Sequence, residues 1–192
     1  MRTRTTAAIA AVLLAALTAC SSSDSDDTKP AATTEAAEVA EKESTPPPAP
    51  AEPMSFGAPY EWENTSDGAE GTSTVLAYDQ DVKSVASASE ETGTDGYVWS
   101  ALELKVCSTT GTFTVTTSPW ILAYADGTRA EPSSTTYDDF PRPEFPFEET
   151  LTQGKCVRGK VVYATPGDSR PESVIYAPEG LAEPVEWTVP AT

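Results

Sequence analysis

All sixteen Phe, Trp and Tyr residues of this 192-residue chain lie after position 53. Burial of large apolar side chains is the main favourable term in folding. Only residues 54–192 can therefore build a core, and roughly 140 residues suffice for one domain. Residues 20–53 are different. After Cys20 they are mostly Ser, Asp, Thr, Ala, Glu and Pro, with Lys29 and Lys42, the run Pro46-Pro47-Pro48-Ala49-Pro50 and Val39 as the only larger aliphatic. Such a segment cannot offset its ordering entropy, so a disordered tether is expected, extended at ~3.1 Å per residue where Pro dominates. It reads either as a spacer through cell-wall polymer or as an unselected low-complexity leash.

The texture of residues 54–192 is β. Val, Thr and Tyr are frequent, Gly and Pro recur at short intervals, and no stretch sustains a 3.6-residue apolar period. Tyr97 to Ser108 alternates most clearly, with Val98, Leu102, Leu104 and Val106 on one face and Glu103 and Lys105 on the other. Further strands are expected at Phe56 to Trp62, Thr72 to Val82, Thr112 to Thr117, Trp120 to Tyr124, Cys156 to Thr165 and Ser173 to Ala177, with a last one through Val185, Trp187 and Val189. Pro59 confines the first to an edge or a bulge. Asp126-Gly127 is a hairpin turn returning through Thr128 to Ala130. Residues 132–147 read as a long loop with its own aromatic contacts. Seven to nine short strands with almost no helix predict an all-β, antiparallel β-sandwich.

The start of the chain is a secretory leader. Arg2 and Arg4 precede the uncharged run Ala7 to Leu17, long enough for a signal core and too short to span a bilayer. Leu17-Thr18-Ala19-Cys20 resembles the bacterial lipobox. That resemblance implies cleavage after residue 19, alkylation of the Cys20 thiol with diacylglycerol, whose acyl chains include palmitate, and anchoring to the extracytoplasmic face of the cell membrane. Two or three chains anchor stably, one only marginally. The plainer alternative is an ordinary cleavage site with Cys20 nearby. The expected division is thus 1–19 signal peptide, 20–53 tether, 54–192 domain.

With Cys20 assigned to lipid, Cys107 and Cys156 remain. An exported compartment permits a disulfide, and an even remainder invites one. Two free thiols or a metal site are the alternatives, but the spacing fits no Cys-x-x-Cys pattern and no His is available as co-ligand. Cys107 alternates with Glu103 and Lys105, off the aliphatic face. A bridge would therefore lie at a sheet edge or cross-strand rather than through the core, though spacing alone leaves this open.

Residues 73–187 resemble the immunoglobulin-like domain of actinobacterial and other Gram-positive exported lipoproteins, the DUF4352 type related to MPT63-like secreted antigens. The resemblance rests on Leu102-Glu103-Leu104-Lys105-Val106, Phe113, Asp126-Gly127-Thr128, Leu151-Thr152-Gln153-Gly154-Lys155, Gly159 through Pro166, Val174-Ile175-Tyr176 and Trp187. These are turns and core positions, so the family implies fold and location and brings no catalytic residues. Cys107 and Cys156 depart from its pattern and suggest a disulfide-bearing branch.

Chemistry is sparse. Without His, triads and the commonest general base are absent. The carboxylate pairs Asp79/Asp81, Glu90/Glu91, Asp138/Asp139 and Glu148/Glu149 arise readily by chance among so many acidic residues. No enzyme, cofactor or bound metal is expected. Calcium at Asp79 and Asp81 or at Asp138 and Asp139 is weighed against solvated surface, no complete calcium loop being present. The net charge of −18, or −20 once Arg2 and Arg4 leave with the leader, argues against nucleic acid and against lying flat on an anionic bilayer. The candidate binding loop is Tyr137, Asp138, Asp139, Phe140, Arg142, Phe145 and Phe147, where rings beside carboxylates suit a cationic peptide or a sugar face. Against this stands the reading that the rings plug the end of the sandwich. The expected function is a monomeric, lipid-anchored, non-enzymatic binding or accessory protein with a protein or envelope partner. The alternatives are a small-ligand or calcium-binding exported protein and a purely structural one.

Overall fold

The computed structural model describes residues 52–64, 68–181 and 183–191. The leader, Cys20 and the tether as far as Ala51 lie outside the described residues.

Among the described residues, ten strands and one short helix form an antiparallel sandwich. One sheet has the order β1 (Pro59–Asn64), β2 (Ala69–Val82), β3 (Tyr97–Thr110), β8 (Cys156–Pro166). The other runs β10 (Val185–Thr188), β9 (Ser173–Tyr176), β5 (Trp120–Ala123), β6 (Arg129–Ala130). A separate pair joins β4 (Thr112–Thr116) to β7 (Glu148–Thr152). Pro59 opens an edge strand, where its missing N–H breaks no central ladder. The first strand starts at Pro59 rather than Phe56, because Ala58 N donates to Ser55 O and closes a turn there.

β3 explains the core. Leu102, Leu104 and Val106 point inward and are buried, while Lys105 is exposed. They meet Val75 and Tyr78 of β2 and Val161 and Tyr163 of β8. The second sheet contributes Trp120, Leu122, Val174, Tyr176 and Trp187. The Trp120 and Tyr176 rings lie 4.3 Å apart, and Tyr163 Oη donates to Trp120 O across the core at 3.0 Å.

The opposite face of β3 is not wholly polar, as Glu103 and Lys105 suggested. Trp99 and Ala101 are buried there. Trp99, Val162, Ala88 and Phe140 make a second, smaller cluster on the outside of the sheet. Its cover is the loop after β6 together with α1 (Ala88–Thr92). This single turn is bounded by a capping box, Ser87 with Glu90, and by Gly93 at φ 67°.

Cys107 and Cys156 form a disulfide, S–S 2.04 Å, and stand opposite each other in the β3–β8 register. The bridge is cross-strand, onto the terminal strand of its sheet, and does not span the core.

Tyr78, Tyr124 and Ser100 are buried with hydroxyls that have no hydrogen-bond partner among the described residues. Burial pushes the phenols of Tyr78, Tyr124, Tyr163 and Tyr176 above their usual range. A raised pKa in the fold means that the native state holds its protons to higher pH than the unfolded chain does. Stability is therefore complete below the ordinary tyrosine value of about 10 and falls as pH rises beyond it. Phenolate absorbance at these four residues should rise together with loss of near-ultraviolet dichroism in an alkaline titration. Full ionisation with the tertiary signal intact would contradict their burial.

Candidate functional site

The expected binding loop is largely committed to structure. Phe140 and Phe145 are 2% and 4% exposed, so neither offers a ligand a surface. Nor does Phe140 plug the end of the sandwich. Phe140 packs on Trp99 at 5.1 Å and Tyr137 at 5.2 Å on the outer face of the sheet, and Phe145 belongs to the main core. Asp139 accepts from Ser84 Oγ at 3.0 Å and Val85 N at 2.7 Å. Tyr137 Oη and Thr135 Oγ1 donate to the two oxygens of Glu91 at 2.7 and 2.6 Å, which ties the loop to α1. The Thr135 bond, then that of Tyr137, holds Glu91 below the usual carboxylate range. Arg142 pairs with Glu144 at 2.9 Å. Gly159 of β8 lets this loop approach, since a Cβ there would strike the backbone of Glu144 and Phe145. Asp138 and Phe147 stay exposed, Phe147 at 54%.

Other paired carboxylates are similarly occupied. Asp79 faces Lys160 at 3.4 Å, Asp81 faces Lys83 at 2.7 Å, and Glu90 closes the capping box. Among the described residues no three His, Cys, Asp or Glu side chains gather to hold a metal ion.

The open concavity lies elsewhere, where the two sheets part. Ala177 N still donates to Pro119 O, extending the β5–β9 ladder. On the far side of Pro119 the chain of β4 and the chain after Tyr176 diverge. Between them is a groove of about 340 Å³, with Phe113, Thr114 and Val115 on one wall, Ala177, Pro178 and Glu179 on the other, and Trp120 and Tyr176 at its base. It continues into a smaller hollow of about 110 Å³ bounded by Trp62, Glu63 and Leu181. Beyond Trp62 a shallow, acidic surface of about 420 Å³ follows, with Glu61, Glu63 and Glu70 around Gly71.

Local sequence builds this groove. Phe113 and Val115 alternate toward the interior, leaving Thr112 and Thr114 exposed. β4 pairs with β7 along one edge, and its other edge pairs with no strand among the described residues. Trp62 stands edge-on to Phe113 at 4.7 Å, and its Nε1 donates to Ser73 Oγ at 3.0 Å. The ring lies across Gly71, where a Cβ would collide with it and with Cys107 O. Among the described residues no Lys or Arg lines any part of the groove. Glu63 sits directly opposite Glu70 in the β1–β2 register, a like-charge pair that costs stability. The sequence reading missed this site. Phe113 and Trp62 were visible in it, but only the divergence of β4 from residues 177–181 makes a groove of them.

No family model and no curated protein matches the sequence. Among solved structures, the chain is similar to MPT63, a secreted protein from Mycobacterium tuberculosis, with a TM-score of 0.55 and 17% identity, over 72% of this chain and 99% of that one. The domain has the MPT63 fold. At that identity the MPT63 likeness carries the architecture alone. The immunoglobulin-like sandwich expected from the core and turn residues is thus the observed one.

Proposed function

We propose that this chain is a lipid-anchored, extracytoplasmic, non-enzymatic binding or accessory protein of the cell envelope, of the DUF4352 lipoprotein type. The leader is removed, acyl chains on Cys20 hold the protein to the membrane, and the tether lets the domain at 54–192 meet a partner. Export is supported by the sequence succession of basic start, apolar run and lipobox, and by the shared fold with a protein described as secreted. Among the described residues no helix is long and apolar enough to cross a membrane.

The observation that carries the binding role is the groove beside β4. It combines half-buried rings, an unpaired strand edge and unpartnered carboxylates, whereas the 137–147 loop uses its rings and charges internally. A small apolar ligand is the second reading, favoured by a groove volume of about 340 Å³, within the size range of small-molecule sites.

Fractionation tests the anchor. The wild-type chain is expected in the membrane fraction, and Cys20→Ala in the soluble fraction with an unchanged dichroism spectrum. A Cys20→Ala protein that remains with membranes after a carbonate wash overturns lipid anchoring.

A further inference from the structure

We infer that the groove takes an extended, basic polypeptide segment, which adds as a strand to the free edge of β4 and carries Lys or Arg side chains to Glu63 and Glu179. The inference rests on the binding role proposed above and specifies its partner.

Two features select a polypeptide. First, β4 offers an unpaired strand edge five residues long, and a strand edge satisfies its backbone groups by pairing with another extended chain. Second, a strand's side chains alternate. Every second side chain of an added strand would point down onto the half-buried ring of Phe113, above the buried Trp120 and Tyr176, and the others outward to the rim. An apolar residue suits the first set and a basic one the second.

Charge selects the basic class. Residues 54–192 carry 22 acidic side chains against eight basic ones. Glu61, Glu63 and Glu179 make no ion pair with any described residue, although Asp79, Asp81, Glu103 and Glu144 all do. A cation at Glu63 would also relieve its repulsion with Glu70. Complementary potential of this kind raises association rates and rejects acidic partners.

The same reasoning disfavours the nearer occupants. The chain's own tether has Pro at 46, 47, 48, 50 and 53, which removes the N–H donors that strand addition needs, and it bears Glu52. A second copy of the domain brings like charge.

The test uses the full mature chain in detergent and a labelled heptapeptide, acetyl-Lys-Val-Lys-Phe-Lys-Val-Lys-amide, read by fluorescence anisotropy and by amide chemical shifts. Binding is expected to perturb Phe113, Thr114 and Ala177. Alternate N-methylation of the peptide, which removes strand hydrogen bonds and keeps the side chains, is expected to weaken it at least tenfold. The pair Glu63→Gln and Glu179→Gln, both exposed positions, is expected to weaken it about tenfold, from two surface charge contacts. Undiminished binding of the N-methylated peptide, or equal binding of the peptide with Glu for Lys, overturns the inference. So does binding that emerges only after residues 30–50 are deleted, which would place the tether in the groove. If the inference falls while neutral peptides or wall fragments still shift Phe113 and Ala177, the groove keeps its binding role. If no probe shifts those residues, the binding role falls as well.

Discussion

Trp187→Ala is expected to cost about 3–5 kcal/mol, the range for removing a large buried ring. Trp187 is fully buried. It packs against Trp120 at 6.0 Å and Tyr60 at 6.5 Å, and its Nε1 donates to Ala58 O at 3.1 Å. One side chain thus joins β10, the segment before β1, and the centre of the second sheet. Within four-residue β10, Trp187 is the only fully inward side chain, since Val185 is half-buried and Glu186 and Thr188 are exposed. The substitution therefore frees the strand and with it the bridge to Met54, whose N donates to Glu186 O at 2.8 Å. Domains of this size hold only about 5–15 kcal/mol in total, so the loss is a large share. Urea unfolding should show the midpoint falling steeply, whereas Phe147→Ala, at an exposed ring, should stay within about 0.5 kcal/mol of wild type. A Trp187→Ala domain as stable as wild type would contradict the packing described.

Replacing both Cys107 and Cys156 by Ser is expected to cost about 4 kcal/mol. The bridge closes a separation of 49 residues, and the chain-entropy model assigns roughly that value to such a loop. The enclosed chain carries β4, β5, β6, the 132–147 loop and β7, so the unfolded ensemble gains freedom across the whole middle of the domain. The native pairing of β3 with β8 should persist, because it runs over eleven aligned residues and does not depend on the bridge for its register. The expected result is a domain of wild-type dichroism with a melting temperature lower by about ten degrees or more. Equal melting temperatures for the two forms would mean that the reduced chain is already constrained in the same region.

The parts that were legible in sequence share a cause. The β3 alternation, the Asp126-Gly127 turn, the edge position of Pro59 and the cysteine pairing each depend on residues within one strand, one turn or one count. What escaped depends on tertiary placement or on weak signal. β7 has four exposed residues and only Leu151 buried, so it offers no apolar period to read. α1 is one turn long with Ala88 as its sole buried side chain, and its Ser87 to Glu90 box was the only trace. The rings of the 137–147 loop looked available because composition cannot show that Trp99 lies beneath Phe140 and Tyr137. The groove depends on two segments some sixty residues apart, Phe113 to Thr116 and Tyr176 to Glu179, parting at Pro119.

The proposed binding role of that groove is tested most directly in intact cells that make the protein. A photo-crosslinking residue is placed at Ala177 or, as control, at Phe147, in the full chain. A discrete adduct is expected from position 177, absent from position 147, and lost when Thr114→Arg fills the groove. Adducts from position 147 alone, or from position 177 undiminished by Thr114→Arg, would contradict a partner bound beside β4.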